Sequence, residues 1–157
     1  MEAHLQYYLK MADYCSYQER CTHEVVTKLA DMEAKEEWMK PILDRLKKEN
    51  FLNDHRFAHS YARGKFRFKK WGKLKIKYNL KLKKIEPSVI SSALAALDTE
   101  GYNDTLLEIL KIKINTQHLT NTFANMAKLY RYAVGKGYET DLVRDAINSL
   151  WKTKLKI

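Results

Sequence analysis

Between Asp54 and Glu86 this chain has no acidic residue at all. Breakers are also scarce, with two prolines and five glycines in 157 residues, a composition that favours helix over sheet. Two cysteines, Cys15 and Cys21, could close one disulfide by number, yet nothing in the chain marks export. Reduced thiols in the cytoplasm are the expectation. No apolar run approaches the ~18 residues of a membrane span. The opening Met1-Glu2-Ala3-His4 has an acid where a signal peptide has a base, and no apolar segment follows it. Neither a leader nor a membrane partner is expected.

What is present is charge and apolar surface in globular proportions, 31% and 45%, which argues against global disorder. A compact domain of this length buries roughly 70% of the surface its unfolded chain exposes. The net charge of +10 is unevenly placed. Arg56, Arg63, Lys65, Arg67, Lys69, Lys70, Lys73, Lys75, Lys77, Lys81, Lys83 and Lys84 all fall in the acid-free interval, leaving 17 bases against 19 acids elsewhere. One segment therefore supplies the whole positive excess, and its natural partners are a polyanion or an acidic protein surface.

The strongest organising signal is internal repetition. Trp38, Met39, Ile42, Leu43 and Leu46 fit one face of a helix; Val89, Ile90, Ala93, Leu94 and Leu97 repeat the spacing, as do Leu142, Val143, Ala146, Ile147 and Leu150. Upstream, Val25 and Leu29 align with Ile76 and Leu80, then with Leu129 and Ala133. Glu49-Asn50-Phe51-Leu52-Asn53-Asp54 and Glu100-Gly101-Tyr102-Asn103-Asp104 punctuate the first two copies, and Asn or Asp there can cap the next helix. The expected fold is all-α: an elongated, curved array of three tandem three-helix repeats, residues 1–52, 53–102 (the basic one) and 103–157. One such unit buries too little apolar surface alone, so neighbours should pack together.

Two stretches strain this reading. Lys73 to Lys83 alternates apolar and basic residues, a strand signal, but repeat position and the propensity of Leu and Lys favour helix. Pro41 falls within a predicted helix, which should start late or kink there.

If residues 54–70 are helical, Arg56, Arg63, Arg67 and Lys70 gather within a sector of roughly 60° around the helix axis. Phe57, Tyr61 and Phe68 share another face, suited to the core, and Phe66 lies opposite Phe57, exposed, where it could stack on a base or enter a protein pocket. The candidate partner- or DNA-binding set is Arg56, Arg63, Phe66, Arg67, Lys69, Lys70, Trp71, Lys73, Lys75 and Lys77. The plainer alternative is that the bases solvate a helix face and that Phe66 and Trp71 pack on a neighbouring unit. Twelve cations without a local acid weigh against it, because nothing nearby relieves their repulsion. Phosphate contacts alone would give salt-sensitive affinity with little sequence selectivity.

No catalytic constellation is found. Cys15, Cys21 and His23 lack a paired zinc spacing, so no metal is expected. Glu36, Glu37, Asp141 and Asp145 read as solvated helix residues, and Tyr130 and Tyr132 as packing residues. Neither a phosphate-binding Gly-x-x-x-x-Gly-Lys loop nor a Gly-x-Ser-x-Gly nucleophile turn occurs. No cofactor is expected.

Several short motifs, in order, carry a family likeness. Thr22-His23-Glu24-Val25 with Lys28-Leu29, then Asp44-Arg45-Leu46, Asp54-His55-Arg56-Phe57-Ala58, Lys128-Leu129-Tyr130-Arg131-Tyr132 and Lys136-Gly137-Tyr138 together resemble the RecX family. Val25 stands where the family usually has Leu. The resemblance implies three helical repeats and a monomeric, non-enzymatic regulator that binds the RecA recombinase filament and lowers its ATPase and strand exchange. It also implies auxiliary binding to single- or double-stranded DNA, and a place in the control of homologous recombination and the SOS response. The rival reading is a stand-alone helix-turn-helix protein whose basic helix enters a major groove. A divergent nuclease would need a carboxylate cluster that the sequence lacks.

Overall fold

The computed structural model describes residues 2–152, and these contain nine α-helices and one 3-10 turn with no strand. The helices are α1 (Glu2–Tyr17), α2 (Thr22–Asp31), α3 (Glu36–Lys48), α4 (Asp54–Lys69), α5 (Lys73–Leu82), α6 (Pro87–Ala95), α7 (Tyr102–Gln117), α8 (Phe123–Gly135) and α9 (Thr140–Trp151), with the 3-10 turn at Ala96–Thr99. The all-α expectation holds, and Lys73–Leu82 is helix rather than strand. Alternation does not win there because Tyr78, which a strand would place on the same face as Ile76 and Leu80, is 62% exposed, while those two are buried on one side of a helix.

The repeat is written into the backbone as well as the core. Val25 and Leu29, Ile76 and Leu80, and Leu129 are buried, and so is Ala133. Each of these helices ends in the same way. Glu33, Lys84 and Gly137 take left-handed conformations at the corresponding positions. The following N–H then returns to the last core residue of the helix: Ala34 to the Leu29 carbonyl, Ile85 to Leu80, and Tyr138 to Ala133, at 3.0–3.2 Å. These bonds satisfy carbonyls that a helix C-terminus otherwise leaves open. The next helix starts after an extended Lys35 and Glu139 at the first and third of these turns. At the second, Pro87 occupies the first helical position, where its missing N–H costs nothing.

One local expectation is narrowed and another fails in part. Helix α3 begins at Glu36, five residues before Pro41, so the late start does not occur. Pro41 and Glu37 are both exposed, so the carbonyl deprived of its partner can be hydrated. Asn53 caps α4 by accepting the Arg56 N–H at 2.9 Å, but Asn103 lies inside α7, whose N-cap is a left-handed Gly101 without a side chain to offer.

Contacts group the chain into two compact units, residues 1–61 with 80–93, and 62–79 with 94–157. In the first, Tyr8, Met11, Cys15, Val25, Leu29, Ile42, Leu46 and Leu52 form a buried cluster. In the second, Phe66, Tyr102 and Tyr138 form an aromatic chain, with ring centroids 5.7 Å and 5.2 Å apart. Among the described residues no helix is long and apolar enough to cross a membrane.

A basic surface on the α4–α5 segment

Helix α4 closes on Lys70, which is left-handed, and the Trp71 N–H reaches back to the Lys65 carbonyl at 3.2 Å. Lysines at this end face the negative pole of the helix, which stabilises them where they stand. The short link to α5 is then tied to the turn between α8 and α9. The Gly72 N–H donates to the Lys136 carbonyl at 2.8 Å, and the Leu74 N–H to the Gly137 carbonyl at 2.9 Å. Returning contacts run from the Tyr138 hydroxyl to the Lys70 carbonyl at 3.0 Å and from Lys136 Nζ to the Lys69 carbonyl at 3.2 Å. A Cβ on Gly72 would come within 2.4 Å of the Gly137 backbone, so only glycine permits this approach.

Aromatic rings support the same segment. The Trp71 indole has the Lys65 and Lys75 ammonium groups 5.0 Å and 4.8 Å from its centre. The Tyr102 hydroxyl accepts the Lys73 N–H at 2.9 Å and donates to Glu139 at 2.5 Å. Burial first, then the bond to the Glu139 carboxylate, holds the Tyr102 phenol well above its ordinary range.

Among the described residues, the fold pairs at least four of the twelve interval bases with acids from outside the interval. Arg56 meets Glu19 at 2.5 Å and also donates to the Asn50 and Phe51 carbonyls. Arg67 meets Glu100 at 2.8 Å, Lys83 meets Glu24 at 3.2 Å, and Lys73 meets Asp98. The expectation of wholly unrelieved repulsion is thereby corrected, because pairs 25 to 59 residues apart cannot be seen in a local window. Arg63, Lys69, Lys70, Lys75 and Lys77 form no ion pair among the described residues. Arg63, Lys69 and Lys77 are exposed, while Lys70, Trp71 and Lys75 are half-buried.

The aromatic assignments are exchanged. Phe66, expected outside, is 3% exposed against Tyr102, and Phe68, expected in the core, is 84% exposed. A single helical wheel assumes one core along the helix, whereas α4 contributes residues to one compact unit up to Tyr61 and to the other from Ala62. Phe66 is therefore buried where an exposed aromatic was expected, and Arg56 is held by Glu19 and by the Asn50 and Phe51 carbonyls. Sequence reading missed Gly72 and Tyr102. The Trp71-Gly72 break beside a second glycine turn, Lys136-Gly137, was the available signal for the first.

Comparison with known proteins adds a second, independent line. Residues 53–94 match the family described as "RecX, second three-helix domain". The chain is 34% identical over 129 residues to the regulatory protein RecX of Clostridium beijerinckii, covering 81% of this chain and 60% of that one. It is 32% identical over 114 residues to that of Clostridium botulinum strain Alaska E43, covering 71% and 53%. The chain thus spans little more than half to three fifths of these curated relatives. Among solved structures, RecX from Lactobacillus salivarius superposes with a TM-score of 0.87 at 23% identity, over 97% of this chain and 99% of that one. Another regulatory protein RecX gives 0.82 at 25% identity, over 92% and 71%.

Proposed function

The chain belongs to the RecX family, and on that footing we propose that it is a regulator that binds the RecA recombinase filament and lowers its ATPase and strand exchange, with non-specific DNA binding as an auxiliary. The observation that carries this reading is the set of cations on the α4–α5 segment that form no ion pair among the described residues, Arg63, Lys69, Lys70, Lys75, Lys77 and Lys81, with the link between the two helices fixed by backbone bonds to the α8–α9 turn. A surface fixed before binding loses little conformational freedom when a phosphate or carboxylate arrives. In this reading the three repeats, 1–52, 53–102 and 103–157, are successive docking modules. Occupying adjacent protomers obstructs the rearrangement or protomer addition on which filament activity depends.

The test adds the chain to preformed filaments and follows ATP hydrolysis. Hydrolysis should fall as the chain saturates its sites, and unchanged hydrolysis with demonstrably bound protein defeats the reading. A variant carrying Arg63→Glu, Lys69→Glu and Lys70→Glu should fold and inhibit poorly, since attraction becomes repulsion. If it inhibits as well as the parent, these cations only solvate the surface.

A further inference from the structure

Helix α5 buries one face and leaves the opposite one half basic and half apolar. Ile76 and Leu80 are buried. On the other side Leu74, Tyr78 and Leu82 follow one another at four-residue intervals and are 49%, 62% and 58% exposed. At about 100° per residue they span roughly 80° of the helix surface, with Lys77 and Lys81 filling the roughly 60° beside them. Both lysines are exposed, and neither forms an ion pair among the described residues. Single exposed hydrophobes need no explanation, but three aligned on one short helix form a continuous ridge.

We infer that this face of α5 is a protein-docking ridge, whose partner presents an apolar groove bordered by carboxylates. The inference rests on the proposed filament-binding role and deepens it by dividing the labour between two surfaces. Charge complementarity selects the acidic border, because Lys77 and Lys81 run along one edge of the ridge and no acid occurs between Asp54 and Glu86. The aliphatic side chains select protein over nucleic acid. A phosphate backbone rewards cations and donors, and Leu74 and Leu82 offer it neither. A helix laid in a groove is read by anchors at such i, i+4 spacings. Phosphate contact then falls to Arg63, Lys69 and Lys70, and the ridge engages the recombinase itself.

The experiment compares the parent with Leu74→Ser/Leu82→Ser and with Lys77→Glu/Lys81→Glu, each in the whole 157-residue chain and each checked by thermal melting. All three are titrated against purified RecA protein free of DNA and, separately, against a single-stranded oligothymidine. The serine pair should lose about tenfold or more in affinity for the protein, the range of anchor residues, and keep its affinity for the oligonucleotide. The glutamate pair should lose protein affinity too, most strongly at low salt. Equal loss of oligonucleotide binding in the serine variant makes α5 a nucleic-acid surface and overturns the inference, as does a serine variant that binds protein like the parent. A parent that binds recombinase neither free nor in the preformed filament overturns the functional reading, and the ridge assignment falls with it; a parent that binds the filament but not the free protein overturns the ridge assignment alone.

Discussion

Gly72 and Gly137 approach so closely that a Cβ on Gly72 would lie 2.4 Å from the Gly137 carbonyl carbon, and one on Gly137 would lie 2.4 Å from the Lys75 Cβ. Gly137 also sits at φ +102, where an L side chain is strained. Gly137→Ala should therefore combine backbone strain with overpacking, at about 3 kcal/mol. A domain of this size should melt roughly 6–12 °C lower as a result. Gly72→Ala should show most of that loss through the clash alone. Parent-like melting of both variants would mean that the two turns are not held together in solution.

Arg56 and Arg63 share one face by sequence spacing but should behave differently. Arg56→Ala removes the Glu19 ion pair and the donors to the Asn50 and Phe51 carbonyls, at the end of α3. A loss of about 1–2 kcal/mol is expected, since hydrogen bonds made by a charged group exceed the worth of an exposed pair. Arg63→Ala should stay within about 0.5 kcal/mol of the parent. Denaturant titration of both separates a structural arginine from one left for a partner.

The cysteines should be nearly inert in the folded protein. Burial pushes the Cys15 and Cys21 thiols up to about 11, and both are free. At pH 8 the thiolate is then about one part in a thousand, and the thiolate is the nucleophile. Alkylation should be slow without denaturant and faster by about two orders of magnitude once the chain unfolds. These groups favour the protonated native state, so their contribution to stability is complete below the unfolded thiol range. It is lost as the pH rises from about 9 to 11. Rapid labelling of the native chain at neutral pH would show that the sites open locally.

DNA affinity should be weak, indifferent to sequence and steep in salt. Each phosphate-binding cation removed should flatten the slope of log K against log salt by about 0.7 on single strands or 0.9 on duplex. Lys69→Ala/Lys70→Ala should reduce the slope on every sequence alike. Strong preference for one short palindrome would instead favour a helix-turn-helix protein.

The core was legible because it is local. Val25, Leu29, Ile76, Leu80 and Leu129 were placed by spacing alone, and all are buried. The candidate surface was legible only in part. A run of bases announces itself, but Glu19, Glu24, Asp98 and Glu100 reach Arg56, Lys83, Lys73 and Arg67 by folding, and no window of neighbouring residues contains them. Phe66 and Phe68 were exchanged for a related reason. Their wheel took its bearing from Phe57, which belongs to a different compact unit from either.

The bonds between residues 70–74 and the Lys136–Tyr138 turn also impose an order on the chain's birth. Residues 62–79 must wait for residues 94–157 before their compact unit can close. At roughly 5–20 residues per second on the ribosome, several seconds pass between the emergence of Asn79 and that of Tyr138. Until Tyr138 emerges, the Gly72 and Leu74 N–H groups and the Lys70 carbonyl lack the partners they hold in the closed unit, and water must serve all three in their place.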